Sequence, residues 1–166
     1  MTKPEFVYVI YIQTTPEKLY QALTDPKFIR VYMDGHGPES TWEVGAPVRW
    51  KMHPAGDFEE VGQRVLEAEP GRRLSYTWHT LQPMHREMFD FASDEEWAKA
   101  CEERSKVTFD IEPAEEESMS VKLTITHDGF DSPGSKMLEG VSGGWTMILS
   151  SLKTLLEGGA FLGAKA

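Results

Sequence analysis

The clearest helical pattern of the chain lies near its C-terminal end. Between residues 140 and 158, six large apolar side chains recur at three- and four-residue intervals, as on one face of a helix: Trp145, Ile148, Leu149, Leu152, Leu155 and Leu156. Gly158 and Gly159 then provide a helix stop, because glycine adopts the left-handed conformation without steric cost. Burying these side chains contributes roughly 2 kcal/mol each. The pattern predicts one long helix that packs against most of a sheet, with a cavity between them as the expected site of function.

The N-terminal part of the chain predicts one strand and two short helices. Residues 6–12 form a β-branched and aromatic run that is typical of a strand. Residues 14–17, Thr-Thr-Pro-Glu, contain two helix starts: the second Thr can cap with proline at the first helical position, or the first Thr can form a capping box with the Glu. Asp25 followed by Pro26 repeats the signal and predicts a second helix that extends through Tyr32.

A period of two replaces the helical pattern from residue 41 to residue 127. Apolar and polar residues alternate in five segments that predict strands: 41–52 with a bulge at Gly45, then 60–68, 74–78, 107–111 and 121–127. The acidic residues 115–117 occupy the tip between the last two segments. Hairpin connections favour antiparallel pairing, so we expect a single α+β domain over residues 1–166, with about six strands and with the helices on one side of the sheet.

Residues 84–104 predict a helical insertion between two strands. Ser93 and Glu96 have the spacing of a capping box, and Trp97 and Cys101 then lie four residues apart on one helix face. Two interpretations stay open for this segment. It can lie near the entrance of the cavity, or it can decorate the surface with one small apolar anchor.

Composition and charge narrow the class of protein. The chain has 166 residues, of which 40% are hydrophobic, enough for a sizeable core in one domain. Its net charge of −10 argues against nucleic acid as a partner, because phosphate binding requires clustered Lys and Arg. The single cysteine, Cys101, excludes an intrachain disulfide. No N-terminal apolar segment has the length of a signal peptide or membrane span, so we expect a cytoplasmic protein.

The sequence predicts no metal and no cofactor. The five histidines, which lack the spacings of metal motifs, are His36, His53, His79, His85 and His127. Residues 35–38, Gly-His-Gly-Pro, predict a plain turn, since a phosphate loop follows a strand and opens a helix. Acidic neighbours at positions 102 and 103 would raise the pKa of Cys101, which disfavours a nucleophilic thiol. No serine lies in a GxSxG motif.

His127 is the strongest candidate for chemistry. It shares strand parity with Val121 and Ile125, so its side chain should point inward, toward the long helix. It is then either a satisfied core residue or a cavity group that orients a ligand or acts as a general base. The aromatic residues expected on the inner face of the sheet, Trp50, Tyr76 and Trp78, leave the same choice between core packing and cavity wall.

Several segments resemble one known family. They are residues 6–8, 15–26, 73–78, 123–130 and 143–157. The chain is similar to the helix-grip fold of the START-like, or SRPBCC, superfamily, and within it to the subgroup related to the activator of the 90-kilodalton heat-shock protein's ATPase. The resemblance implies a curved antiparallel sheet wrapped around a long C-terminal helix, with a deep apolar cavity between them. Members bind lipids, polyketides or other small hydrophobic molecules, and some are cyclases or hydrolases.

The chain departs from the subgroup near the expected cavity mouth. Tyr20 stands where the subgroup usually has Trp, and Met33 and Asp34 stand where it usually has an aromatic pair. The identity of the ligand therefore cannot be transferred from the family. We expect the wall of the site to be formed by residues of the sheet, the second short helix and the long helix: Tyr32, Trp50, Tyr76, Trp78, His127, Trp145, Met147 and Ser151.

Three classes of function remain at this point. Binding of a small hydrophobic molecule is favoured by the architecture and by the absence of a catalytic motif. A cyclase or hydrolase acting on a polyketide-like or aromatic substrate comes second, with His127 or a tyrosine as the reacting group. A co-chaperone that stimulates a chaperone ATPase comes third. The family's co-chaperones are longer proteins with an extra N-terminal domain, for which we expect no room here. Assembly into a homodimer stays open.

Overall fold

The computed structural model describes residues 3–114 and 120–158. Its strands are β1 (Phe6–Ile12), β2 (Gly37–Glu39), β3 (Pro47–Lys51), β4 (Glu59–Glu69), β5 (Arg73–Thr77), β6 (Lys106–Pro113) and β7 (Val121–Asp128). Its helices are α1 (Pro16–Thr24), α2 (Pro26–Tyr32), α3 (Asp94–Ala100) and α4 (Lys136–Leu156), with a short 3-10 helix at Pro83–Met88. The predicted acidic tip at 115–117 and the predicted stop at Gly159 lie outside the described residues.

The strands form one antiparallel sheet that curls into a half-barrel against α4, in the order β1-β7-β6-β5-β4-β3-β2. The predicted α+β class and helix-grip arrangement are confirmed. In the part of the chain that the structure describes, the sheet has seven strands rather than about six. The additional strand, β2, spans only three residues, Gly37–Glu39, and pairs with β3 at the sheet edge. Three residues are too short a segment to show an alternating pattern in the sequence.

The predicted strand at residues 41–46 is wrong. Trp42 has a positive φ of 61°, and its backbone N–H donates to the Ser40 hydroxyl at 3.0 Å, so the chain turns there instead of extending. The Trp42 indole N–H donates to the Thr24 carbonyl at 2.9 Å and holds this turn against the end of α1. A local side-chain hydrogen bond thus replaces the strand that alternation alone would predict.

Side-chain caps define the starts of α1 and α2. The Thr15 hydroxyl accepts from the Lys18 N–H at 3.2 Å, which decides between the two predicted starts of α1. The Asp25 carboxylate accepts from the Lys27 N–H at 2.9 Å at the start of α2. In both helices proline occupies the first turn, where its missing N–H costs no hydrogen bond.

The long helix α4 begins four residues earlier than the pattern predicted. Ser135 caps it: its hydroxyl accepts from the Leu138 N–H at 3.1 Å and donates to a Glu103 carboxylate oxygen at 2.6 Å. The other Glu103 oxygen accepts from the Asp131 N–H at 2.7 Å. Glu103 is buried despite its charge, because these donors satisfy it. Glu103, near the end of residues 84–104, therefore connects this segment by hydrogen bonds to the start of α4.

The inward face of α4 differs slightly in phase from the predicted stripe. Its buried residues are Met137, Val141, Trp145, Leu149, Ser151 and Leu152, whereas Ile148, Leu155 and Leu156 are only partly buried. On β7 every second side chain is buried, from Val121 to His127, in agreement with the predicted parity. The core therefore lies between these two faces and beneath the neighbouring strands.

Candidate functional site

An apolar cavity of about 190 Å³ lies between α4 and the chain that follows β5. Six positions on successive turns of α4 form one wall: Met137, Gly140, Val141, Gly144, Trp145 and Ile148. Trp78 and His79 form the opposite wall at the end of β5. We call this space the helix cavity. Within residues 3–114 and 120–158, its only ionisable lining groups are two imidazoles, those of His79 and His85.

A second cavity of about 220 Å³ adjoins the first on the side of β2 and β3. The two spaces share four lining residues: Trp78, His79, His85 and Ile148. We call the second space the edge cavity, because it is lined by Gly37 on the edge strand β2 and by Trp50 on the neighbouring strand β3. The shared imidazoles therefore stand at the junction of the two cavities.

Residues 81–89 cover the helix cavity, and we call them the roof segment. Pro83–Met88 forms its 3-10 helix, and the side chains of Leu81, Met88 and Phe89 face the cavity. The Phe89 ring packs against α4 at Gly140, where an added Cβ would lie only 3.0 Å from the Phe89 Cζ. Glycine at this position allows the roof to approach the helix closely.

The tautomer of His79 follows from its backbone partner. Its Nδ1 lies 2.9 Å from the Thr80 carbonyl oxygen, which can only accept a hydrogen bond. The proton of the neutral ring therefore sits on Nδ1, and Nε2 carries a lone pair. Burial lowers the pKa of His79 to about 4; its hydrogen bond to Thr80 opposes this shift and the nearby His85 adds to it. The ring is neutral at pH 7.

His85 has the opposite tautomer. Its Nδ1 accepts from the Gln82 backbone N–H at 2.7 Å, so the ring proton of the neutral form sits on Nε2. Burial lowers the pKa of His85 as well. The rings of His79 and His85 stack with 5.4 Å between centroids and 11° between planes. The pair thus combines one acceptor, Nε2 of His79, with one donor, the Nε2–H of His85.

His127 is a satisfied core residue, which decides between the two interpretations of it. The Trp145 indole N–H donates to its Nδ1 at 3.0 Å, and its Nε2 lies 2.8 Å from the Ser105 hydroxyl. Because an indole nitrogen is only a donor, the His127 proton sits on Nε2. Burial, followed by the charges of His79 and Lys106, lowers the pKa of His127 to about 3. Both ring nitrogens are engaged, so neither is free for a ligand.

The structure brings only part of the predicted wall together. Trp78 and Trp145 line the helix cavity, and Trp50 lines the edge cavity. Four predicted residues are buried in the core and line neither cavity: Tyr32, Tyr76, His127 and Ser151. Met147 is 61% exposed and lies on the outer face of α4, because a position two residues from the buried Trp145 points away from the core.

Sequence reasoning missed His79 and His85. β5 ends at Thr77, so the alternation that placed Trp78 on the inner face gives no information about the following residue. The signal for His85 was available: Gln82 followed by Pro83 is a helix start, and a polar side chain three residues after a cap can bond back to it. That pattern would have placed His85 beside the cap without showing which space it lines.

One polar group near the cavities is left unpaired. The Trp50 indole N–H is buried and has no acceptor among the residues that the structure describes. The Trp50 ring packs edge-on against Trp78 at 4.6 Å and against His79 at 4.8 Å between centroids. Trp78 also packs on Trp145 at 5.0 Å. The wall that the cavities share is therefore aromatic, and the imidazoles of His79 and His85 supply the polarity of the helix cavity.

The described residues contain neither a membrane-spanning helix nor a cluster of metal ligands. None of the helices in residues 3–114 and 120–158 combines the length and the apolar character needed to cross a membrane. Within the same residues, no three His, Cys, Asp or Glu side chains converge into a group that could hold a metal ion.

Comparisons with known proteins agree with this architecture. The model of a family described as Activator of Hsp90 ATPase homolog 1-like protein matches residues 13–157. No curated protein matches the chain. Among solved structures, protein MLL2253 from Mesorhizobium loti is 25% identical, with a TM-score of 0.68 over 95% of this chain and 100% of that one.

Two further solved structures show the same fold at lower identity. The Aha1 dimer from Colwellia psychrerythraea is 19% identical, with a TM-score of 0.63 over 93% of this chain and 96% of that one. DynU16, a protein of the dynemicin biosynthetic locus, is 18% identical, with a TM-score of 0.62 over 92% of this chain and 47% of that one.

Proposed function

This chain belongs to the Activator of Hsp90 ATPase homolog 1-like family, and from that premise we propose that it binds a small, uncharged and largely apolar molecule in the helix cavity. One observation carries the proposal: an apolar space opens between α4 and the roof segment, and among the described residues two neutral imidazoles are its only ionisable lining groups. Apolar walls with a few placed polar groups are the usual construction of small-molecule sites.

The size of the cavity limits the ligand. An engineered apolar cavity of about 150 Å³ holds benzene, and the helix cavity is slightly larger, at about 190 Å³. A molecule of one or two rings, or a short acyl chain, fits it, and a longer molecule would extend into the edge cavity past the imidazoles. At roughly 0.5 kcal/mol per non-hydrogen atom, a ligand of about twelve atoms would bind with a Kd of tens of micromolar.

The charge of the lining supports a neutral ligand. A carboxylate would face the lone pair of His79, and the net charge of −10 would repel it at long range. A cationic ligand would find no carboxylate among the lining residues. The desolvation of a charged group would therefore be uncompensated in the helix cavity; the edge cavity differs, because Lys51 lines it.

Native mass spectrometry and tryptophan fluorescence test the proposal. Gently purified protein should retain a small molecule at one per chain, or take up naphthalene at that ratio. Naphthalene should change the tryptophan emission, because Trp78 and Trp145 line the cavity. Trp78→Phe should reduce this response to the part that Trp145 supplies, whereas Trp97→Phe, on α3 outside both cavities, should keep it in full. Emission and mass that do not respond to naphthalene up to its solubility limit would exclude binding in the helix cavity.

An enzymatic role is the second candidate, and the lone pair of His79 favours it. A neutral imidazole with a free Nε2 in an apolar cavity can accept a proton from a bound substrate, and the Nε2–H of the neighbouring His85 can stabilise a developing negative oxygen. We place this behind binding, because no nucleophile or carboxylate accompanies the pair among the lining residues. Turnover of a retained ligand, lost in His79→Asn, would establish it. A chaperone-directed role and a homodimer stay predictions from the sequence.

A further inference from the structure

The stacked pair His79–His85 is the most specific chemical feature of the cavities. We propose that the pair recognises a neutral group that offers both a hydrogen-bond donor and an acceptor, such as a primary carboxamide, a lactam or an enol or phenol hydroxyl. This inference rests on the proposed function, because it assigns the polar end of the molecule bound in the helix cavity.

The backbone fixes the polarity of each ring. The Thr80 carbonyl must receive a proton from Nδ1 of His79, and the Gln82 N–H must donate to Nδ1 of His85. Neither ring can exchange tautomers without losing its backbone hydrogen bond. The remaining nitrogens are therefore of opposite kind: Nε2 of His79 accepts and Nε2–H of His85 donates.

Both Nε2 atoms are available to a ligand. Neither has a hydrogen-bond partner within residues 3–114 and 120–158. They also differ from the indole nitrogen of Trp50, which is sealed in the packing without a partner. Because both rings line both cavities, a ligand at the junction of the cavities would lie against both imidazoles.

The opposite polarity selects the chemical class. A ketone or ester has only acceptors and can satisfy His85 alone, leaving the lone pair of His79 desolvated and unpaired. An ammonium has only donors and leaves the Nε2–H of His85 unmatched, whereas a hydroxyl can donate to Nε2 of His79 and accept from Nε2–H of His85. A carboxylate adds a charge that repels that lone pair. Only a group with both functions, on one atom or on close neighbours, satisfies the two imidazoles at once.

A set of naphthalene derivatives separates this inference from the proposed function. The probes are naphthalene, 2-acetylnaphthalene, N,N-dimethyl-2-naphthamide and 2-naphthamide, which share a ring system and differ in hydrogen-bonding groups. Binding is measured by tryptophan fluorescence and confirmed by native mass spectrometry. We expect 2-naphthamide to bind at least about tenfold more tightly than the ketone and the dimethylamide, which have an acceptor but no donor.

Asparagine variants remove one function at a time. The amide of Asn reproduces the position of Nδ1, so His79→Asn can still donate to Thr80 and His85→Asn can still accept from Gln82, while both lose Nε2. Each variant should reduce the preference for 2-naphthamide to less than about threefold while keeping naphthalene binding. His53→Asn, on the exposed turn after β3, is the matched control and should keep the full preference.

The possible results lead to different conclusions. If all four probes bind equally to the wild-type protein, the inference is overturned and the cavity remains a site for apolar molecules. If the preference exists but persists in both variants, another group recognises the amide, and the inference is also wrong. If no probe binds, the proposed function fails and this inference fails with it. Should a variant not fold, the comparison of 2-naphthamide with the ketone on the wild-type protein still decides.

Discussion

Three glycines in the interior of α4 provide the sharpest test of the cavity. Gly140, Gly143 and Gly144 lie within five consecutive positions of one helix. A glycine in a helix interior costs about 0.5–1 kcal/mol relative to alanine. Helix propensity gives no reason for three glycines so close together. At Gly140 the reason is steric, because the Phe89 ring packs against this position. Gly143 and Gly144 differ in a useful way, because only Gly144 lines the helix cavity.

We expect Gly143→Ala and Gly144→Ala to stabilise the protein equally and to differ in ligand binding. A Cβ added at either position meets no heavy atom within 4 Å, so neither substitution causes a clash. Each should raise the free energy of unfolding by about 0.7 kcal/mol and the Tm by roughly 2 °C for a chain of this size. The methyl group added at position 144 would occupy the helix cavity, whereas the methyl group added at position 143 would point to solvent.

The assay combines thermal unfolding with a naphthalene titration. Gly144→Ala should weaken naphthalene binding at least about fivefold, since overpacking of a filled apolar space costs roughly 1–3 kcal/mol. Gly143→Ala should bind as the wild type does. Equal affinity in all three proteins would refute the placement of the ligand beside α4. A loss of stability in Gly143→Ala would instead refute the assumption that this glycine only lowers helix propensity.

Three other predictions concern stability. His127→Ala should lower the free energy of unfolding by about 3 kcal/mol, because it leaves a void and unpairs Trp145, without changing naphthalene affinity. Acidification from pH 7 to 5 should cost roughly 3 kcal/mol in urea unfolding: His79 and His127, with folded pKa values of about 4 and about 3, stay neutral while their unfolded counterparts, with pKa 6.5, take up protons. Ser135→Ala should cost about 1–2 kcal/mol through loss of the α4 cap and of a Glu103 partner.

Each stability prediction has an opposing result. Weaker naphthalene binding by a folded His127→Ala protein, with little change in stability, would restore the ligand-orienting role that the structure removes. A flat stability profile between pH 7 and 5 would mean that the two imidazoles are hydrated in solution. Thr146→Ala serves as the control for Ser135→Ala, because its hydroxyl bonds only within the exposed surface of α4 and should cost less than about 0.5 kcal/mol.

The sequence predicted the elements whose patterns are long. The stripe along α4 and the alternation along β7 both extend over several periods, and both are found in the structure. Two of the failed predictions are the strand around Trp42 and the placement of Met147 in the cavity wall. Trp42 follows an alternating pattern, yet a hydrogen bond to Ser40 turns the chain there. Met147 was assigned to the wall although it lies two residues from Trp145, a spacing that places it on the outer face of α4.

The candidate site was less predictable than the fold for a related reason. The alternation along β7 predicts that the His127 side chain points inward, and the structure places it in the core instead of a cavity wall. The imidazoles that line the cavities lie past the end of β5 and in a 3-10 turn, where no period applies. Their tautomers depend on a carbonyl and an N–H that every residue type except proline possesses, so residue identity contains almost no signal for them.

The same dependence on main-chain atoms has an evolutionary consequence. The proton positions on His79 and His85 are set by the backbone at residues 80 and 82, so substitutions at those two positions can accumulate without altering the polarity of the cavity. Proline at position 82 is the exception, because it removes the donor that holds His85 in its tautomer. Relatives that keep both histidines should therefore keep the same pairing of acceptor and donor even when many other residues of the roof segment are substituted. A proline at position 82 would indicate that the cavity binds a different class of ligand.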